Sequence, residues 1–167
     1  MSVTTPQEKY SLELAHLYDA EQRFLKAQVE MEAHATDPTL KAGMQQHVQQ
    51  SRGQIDNLVQ VYRLLGQEPR TEECGIATSL IENAEGGLKE KGGEALRDCL
   101  IGTAASMVEY YEIASYRGLI GASQAMNLPE VVALLQENLR QEELTAQKLE
   151  SGAPALLQKA MHSAPAV

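Results

Sequence analysis

Three prolines, each at the start of a helical pattern, most constrain what this chain can fold into. Thr5-Pro6-Gln7-Glu8 has the form of a capping box with proline at the first helical position, and Asp37-Pro38 and Asn127-Leu128-Pro129-Glu130 mark two further starts. Proline suits the first turn of a helix but not its interior. The long segments between these points keep helical spacing of apolar residues. The chain is therefore predicted to be all-α.

These start signals predict four long helices, A to D. Helix A is predicted from Pro6 to about Asp37, with Leu14, Leu17, Leu25 and Val29 on one stripe, and helix B from Pro38 to Gly66. Helix C is predicted over about 94–126 and helix D over about 129–150. The signal weakens over 71–90, where one short helix is expected, and Ser151-Gly152-Ala153-Pro154 is expected to end helix D before a last short helix.

Two helical hairpins joined by one longer connection are typical of a ferritin-like antiparallel four-helix bundle with one crossover. We therefore expect a single domain over residues 1–167, with a bundle core at about 6–151 and a short C-terminal helix.

The charge of the chain argues against some partners. It carries 23 acidic and 14 basic side chains, a formal net charge of -9, without a basic cluster. A phosphate backbone or an anionic membrane surface would be repelled. No long apolar run or leader pattern is found, so a cytoplasmic location is expected. Cys74 and Cys99 lack metal-ligand spacing and are predicted to be ordinary thiols.

Four glutamates interrupt the apolar stripes. Glu21 lies one turn from Leu17 and shares its face, while Glu109 and Glu112 project from one face of helix C. Glu142 lies on the core stripe of helix D. Carboxylates on inward faces need an explanation.

Helix B adds polar residues on one side, at His47, Gln50 and Gln54. Gln54 lies 33 residues after Glu21, and Glu142 lies 33 residues after Glu109, so each hairpin offers a polar pair at the same offset. His47 is the one nitrogen ligand among these residues.

Charge balance favours a metal site. The inward faces offer no Lys or Arg, whereas two divalent ions would offset four carboxylates. Oxygen ligands with one imidazole suit iron or manganese. The candidate ligands of a dinuclear site are Glu21, His47, Gln54, Glu109, Glu112 and Glu142.

A plainer interpretation stays open. Any one of the glutamates could be solvated at the edge of its stripe, and His47 could be a hydrogen-bonded core histidine. His16, His34 and His162 are expected at the surface. The tyrosines are expected mainly to pack, although one near a metal could bond to a ligand.

Several strings together resemble the YciE/YciF family of bacterial ferritin-like proteins over about residues 10–150. They are Leu17-Tyr18-Asp19-Ala20-Glu21, the stretch from His47 to Gln54, Leu64-Leu65-Gly66 with Pro69 and Cys74, and residues 108–116, Val-Glu-Tyr-Tyr-Glu-Ile-Ala-Ser-Tyr. The Glu-x-x-Glu of helix C is also similar to rubrerythrin. The resemblance implies a bundle, often dimeric, with a stress-related role and a di-iron or similar site.

The chain also departs from that family pattern. Gln50 stands where relatives usually have Glu, Tyr110 where many have His, and Ala146 where an acidic residue is common.

Two functions follow. One is a metal-binding, oxidase-like or peroxidase-like protein, and the alternative is a non-catalytic stress or interaction protein with a degenerate, weakly occupied site. A storage shell is a third possibility.

Overall fold

The structure is a computed structural model that describes residues 3–163. Over this range it contains five helices, and their order and lengths confirm the predicted fold class. The helices are α1 (Pro6–His34), α2 (Pro38–Leu64), α3 (Gly75–Leu88), α4 (Glu94–Ala125) and α5 (Pro129–Ser163).

The predicted caps are present. Thr5 Oγ1 accepts from the backbone N–H of Glu8 at 3.1 Å, and the Glu8 carboxylate accepts in return from the N–H of Thr5 at 3.0 Å. At the start of α2, Asp37 Oδ1 accepts from the N–H groups of Thr39 and Leu40, both at 2.9 Å. These bonds satisfy backbone donors that have no partner within a helix, so α1 and α2 begin at their caps.

The helices pack as two hairpins, α1 with α2 and α4 with α5, and the crossover helix α3 lies against α1 and α4. Two apolar clusters occupy opposite ends of the bundle. One includes Leu14, Leu58, Tyr62, Leu119 and Leu135, and the other includes Met31, Leu40, Met44, Ile101 and Leu156. Along every long helix the predicted metal ligands fall between these clusters, so the middle of the bundle contains buried polar groups. Over residues 3–163 no helix has the length and apolarity needed to cross a membrane.

Helix α5 differs from the prediction at its C-terminal end. The expected break over 151–154 is wrong, because α5 continues through Pro154 to Ser163 as one helix. Proline has no N–H, so the carbonyl of Glu150 lacks its usual partner four residues on. Packing offsets this loss: Leu156 is buried in the second apolar cluster, and the ammonium of Lys159 binds the carboxylate of Asp37.

Candidate metal centre

All six residues predicted as ligands are buried, and each long helix contributes at least one. Glu21 is on α1, His47 and Gln54 are on α2, Glu109 and Glu112 are on α4, and Glu142 is on α5, with exposures between 0% and 2%. The solvated-edge interpretation is therefore wrong for all four glutamates.

Four of these residues converge. His47, Glu109, Glu112 and Glu142 each offer one ligand atom, and these atoms lie within 4.8 Å of one another. One close contact within the group joins His47 Nε2 to Glu109 Oε1 at 3.1 Å. Glu21 lies outside this group of four, but it is near enough for its charge to raise the pKa of Glu112. The group offers enough oxygen and nitrogen ligand atoms to coordinate a cation.

The imidazole of His47 is in the form that binds metals. Burial lowers its pKa to about 4, so the ring is neutral at physiological pH. The side-chain amide nitrogen of Gln28 contacts His47 Nε2, and Gln28 Oε1 accepts from Ser51 Oγ at 2.9 Å. These contacts hold the ring against Glu109.

A second polar network holds Glu21. The phenol of Tyr116 donates a hydrogen bond to Glu21 Oε1. Asn138 Nδ2 donates to the Tyr116 oxygen at 3.0 Å and to the backbone oxygen of Gln54 at 3.2 Å. Asn57 in turn donates to Asn138 Oδ1 at 2.7 Å. Glu21 is thereby fixed in position from α4 and α5.

Sequence reasoning did not single out Gln28, Ser51 or Asn138. Each lies at a helical offset from a predicted ligand: Gln28 is seven residues after Glu21, Ser51 four after His47, and Asn138 four before Glu142. Such offsets place a residue on the same helix face. A search for polar residues at these offsets would have found all three.

The four carboxyl groups share an environment that disfavours ionisation. Burial, followed by neighbouring carboxylates, raises the pKa of Glu21, Glu109 and Glu112 well above 4.5. Burial raises the pKa of Glu142 to about 7. None of the buried residues in the described range is Lys or Arg. The negative charge of these carboxylates must therefore be neutralised, either by protons or by a bound cation.

Many polar atoms of the centre lack a partner. Neither oxygen of Glu112 or Glu142 has a hydrogen bond, and the second oxygens of Glu21 and Glu109 have none. The side-chain amide of Gln54, although close to Glu142, also makes none. Buried polar groups are normally satisfied. Carboxylate oxygens with one imidazole are the ligand set of iron and manganese, so the residues present fit such ions.

The positions that depart from the family pattern add no ligand to this group. Gln50 is half-buried on α2, and Ala146 is buried on α5 with only a methyl group to offer. Tyr110 is exposed, and its phenol bonds to Glu150. The two thiols, Cys74 and Cys99, are free and lie outside the group.

An antiparallel bundle with one crossover, holding a buried carboxylate–imidazole cluster from α2, α4 and α5 with Glu21 of α1 buried near it, defines a ferritin-like protein. Residues 5–162 match the family described as a domain of unknown function, DUF892. The chain belongs to this family.

Individual relatives agree with this assignment and confirm the resemblance to YciE/YciF. Protein YciF of Escherichia coli is 27% identical over 150 residues, covering 89% of this chain and 90% of YciF. The crystal structure of YciF, described as a stress protein, superposes with a TM-score of 0.89 at 26% identity, over 94% of this chain and 99% of that one. YcfI of Rhodopseudomonas palustris, described as a candidate structural protein, gives 0.85 at 31% identity, over 89% and 95%.

Proposed function

We propose that this protein binds a dinuclear iron or manganese centre between its four long helices and uses it in a stress-related role. The observation that carries the proposal is the convergence of unpartnered carboxylate oxygens beside a neutral imidazole, in a region without a buried cation. Two divalent ions would offset four ionised glutamates.

The residues divide into ligands and positioning residues. His47, Glu109, Glu112 and Glu142 would hold one part of the centre, and Glu21 with Gln54 would complete it on the side of α1 and α2. When bound, iron or manganese supplies redox chemistry with dioxygen or peroxide.

The hydrogen-bond network around Glu21 positions this candidate ligand. Tyr116 holds one oxygen of Glu21 and leaves the other free, while Asn138 fixes the phenol. The two flanking apolar clusters limit the contact of the centre with bulk water. The stress-related part of the proposal is supported by the description of YciF as a stress protein. The dimeric state and the cytoplasmic location stay predictions.

A second candidate function is a non-catalytic stress or interaction protein with a weakly occupied site. Ala146 favours it, because this buried position on α5 faces the core without a carboxylate. The description of YcfI as a candidate structural protein points the same way for that relative.

Metal analysis distinguishes the two. Protein purified from cells supplied with iron and manganese should hold about two ions per chain under the first proposal. Glu109→Gln with Glu142→Gln should abolish binding, because the shape is kept and two negative charges are lost. Glu94→Gln with Glu143→Gln is the matched control, since both residues are exposed on the same helices.

Metal content well below one ion per chain in the wild type would contradict the dinuclear proposal. The optical spectrum of the iron form shows whether dioxygen or peroxide oxidises the bound metal. Full metal content without such oxidation would support the metal site and exclude the redox role.

A further inference from the structure

A cavity of about 460 Å³ lies between α2 and α5 and reaches His47 and Glu109. Its volume is within the range of small-molecule sites. Most of its wall is apolar, from Leu40, Met44 and Leu149. Exposed residues such as Thr39 and Lys148 form its outer part, so the cavity connects the surface with two candidate ligands.

Two glycines line this cavity. Gly43 on α2 and Gly152 on α5 both line it, and a Cβ atom added at either one meets nothing within 4 Å. Neither has a positive φ. Glycine inside a helix costs about 1 kcal/mol relative to alanine. Neither packing nor a positive φ requires glycine at these two positions, so a larger side chain placed there would extend into free space.

The inner part of the cavity has unpartnered polar atoms. Glu109 is 1% exposed and its Oε2 has no hydrogen bond, and His47 is 2% exposed with an unpartnered Nδ1. Both residues line the cavity. A ligand with one polar atom at its buried end would find partners there.

Charge restricts the class of ligand. An anionic head group would lose its hydration at the buried end of the cavity, and none of the buried residues in the described range is a Lys or Arg that could compensate. The one lysine of the wall, Lys148, is at the outer part, where its ammonium donates to Gln46 Oε1 at 2.9 Å. A neutral head group pays a much smaller desolvation cost.

We propose that this cavity binds a neutral, largely apolar organic molecule through one oxygen head group, a hydroxyl or hydroperoxide, placed at the His47 and Glu109 end. The proposal deepens the proposed function by naming the substrate class of the same centre. Binding itself needs no metal, because the apolar wall and the polar end belong to the protein.

The test uses the full chain, both metal-loaded and treated with chelator, and 1-octanol as the probe. Titration followed by amide NMR shifts should show saturable binding in both forms, with shifts centred on α2 and α5. Gly43→Leu, which fills the cavity, should weaken binding by at least ~10-fold. Gly53→Leu is the matched control on the same helix: a Cβ there also meets nothing, and it does not line the cavity. It should bind like the wild type.

Octanoate should bind the chelated protein at least ~10-fold more weakly than 1-octanol. The proposal is overturned if 1-octanol does not saturate, if Gly43→Leu binds as well as Gly53→Leu, or if octanoate binds more tightly. The metal proposal is tested separately, by the number of ions bound per chain. Its failure would leave octanol binding to the chelated protein unaffected.

Discussion

The phenol of Tyr116 on α4 donates a hydrogen bond to Oε1 of Glu21 on α1, across the polar middle of the bundle. Burial and the charge of Glu142 raise the pKa of Glu21, and this bond acts in the opposite direction. One hydroxyl therefore joins the two hairpins and favours the ionised form of a candidate ligand.

Removing this hydroxyl should destabilise the fold. In Tyr116→Phe, Glu21 Oε1 and Asn138 Nδ2 both lose a buried partner, so the free energy of unfolding should fall by ~1–3 kcal/mol. Urea unfolding measures the loss. Tyr110→Phe is the control on the same helix, because its exposed phenol bonds to Glu150 at the surface. A loss of similar size in both variants would contradict a special role for the Tyr116 bond.

The metal-free protein should lose stability as pH rises from 6.5 to 8. A carboxyl whose pKa is raised in the folded state stabilises fully below its unfolded pKa of 4.5, and that stability is lost as pH rises through the folded pKa, which is about 7 for Glu142 and well above 4.5 for Glu109. Each group contributes a slope of at most ~1.4 kcal/mol per pH unit.

The lower limit of this window is set by His47. Its pKa falls from 6.5 to about 4 on burial, so its own contribution is lost only as pH falls below 6.5. Thermal unfolding of chelator-treated protein at several pH values gives the slope. Adding Mn²⁺ should reverse its sign, because the metal binds the deprotonated carboxylates. A free energy of unfolding that does not change with pH in the metal-free protein would contradict the raised pKa values of these carboxyl groups.

Glu112→Gln should stabilise the chelated protein at pH 8 while lowering its metal content. Both oxygens of Glu112 are buried without partners, so an amide removes a charge that the metal-free fold must otherwise neutralise. A gain of ~1–3 kcal/mol is expected. Glu143→Gln, exposed on α5, should change neither quantity. A destabilised Glu112→Gln variant with normal metal content would contradict the assignment of Glu112 as a ligand.

Pro154→Ala should stabilise helix α5. Alanine restores the N–H that the carbonyl of Glu150 lacks, and the gain should be ~1–3 kcal/mol. Pro129→Ala provides the contrast, because Pro129 begins the same helix, where no N–H donor is needed. That variant should be neutral or slightly destabilised. Chemical denaturation of both proteins measures the difference, and equal effects would argue against the missing hydrogen bond.

Much of the fold could be predicted, because its helix starts depend on local chemistry. The caps at Thr5 and Asp37 require only neighbouring residues, and both are confirmed. The continuation of α5 past Pro154 could not be predicted in this way. It depends on Leu156 and Lys159 contacting parts of the chain that are distant in sequence.

The candidate centre was predictable as a set of positions and not as a network. Periodicity placed the glutamates on inward faces, but it also placed Val29 there, and Val29 is 43% exposed. The adjacent Gln28 takes the buried position, because its amide contacts His47 and Ser51. A hydropathy pattern ranks valine above glutamine for burial and contains no information about such cross-helix bonds.

The candidate ligands are spread over all four long helices, from Glu21 near the beginning of the chain to Glu142 near its end. A centre built in this way exists only when both hairpins are assembled, so bound metal stabilises the whole folded chain over the unfolded one. Under the proposed function, cellular proteases would degrade the metal-free form faster than the loaded form. The abundance of this protein in the cell would then rise and fall with the supply of iron or manganese.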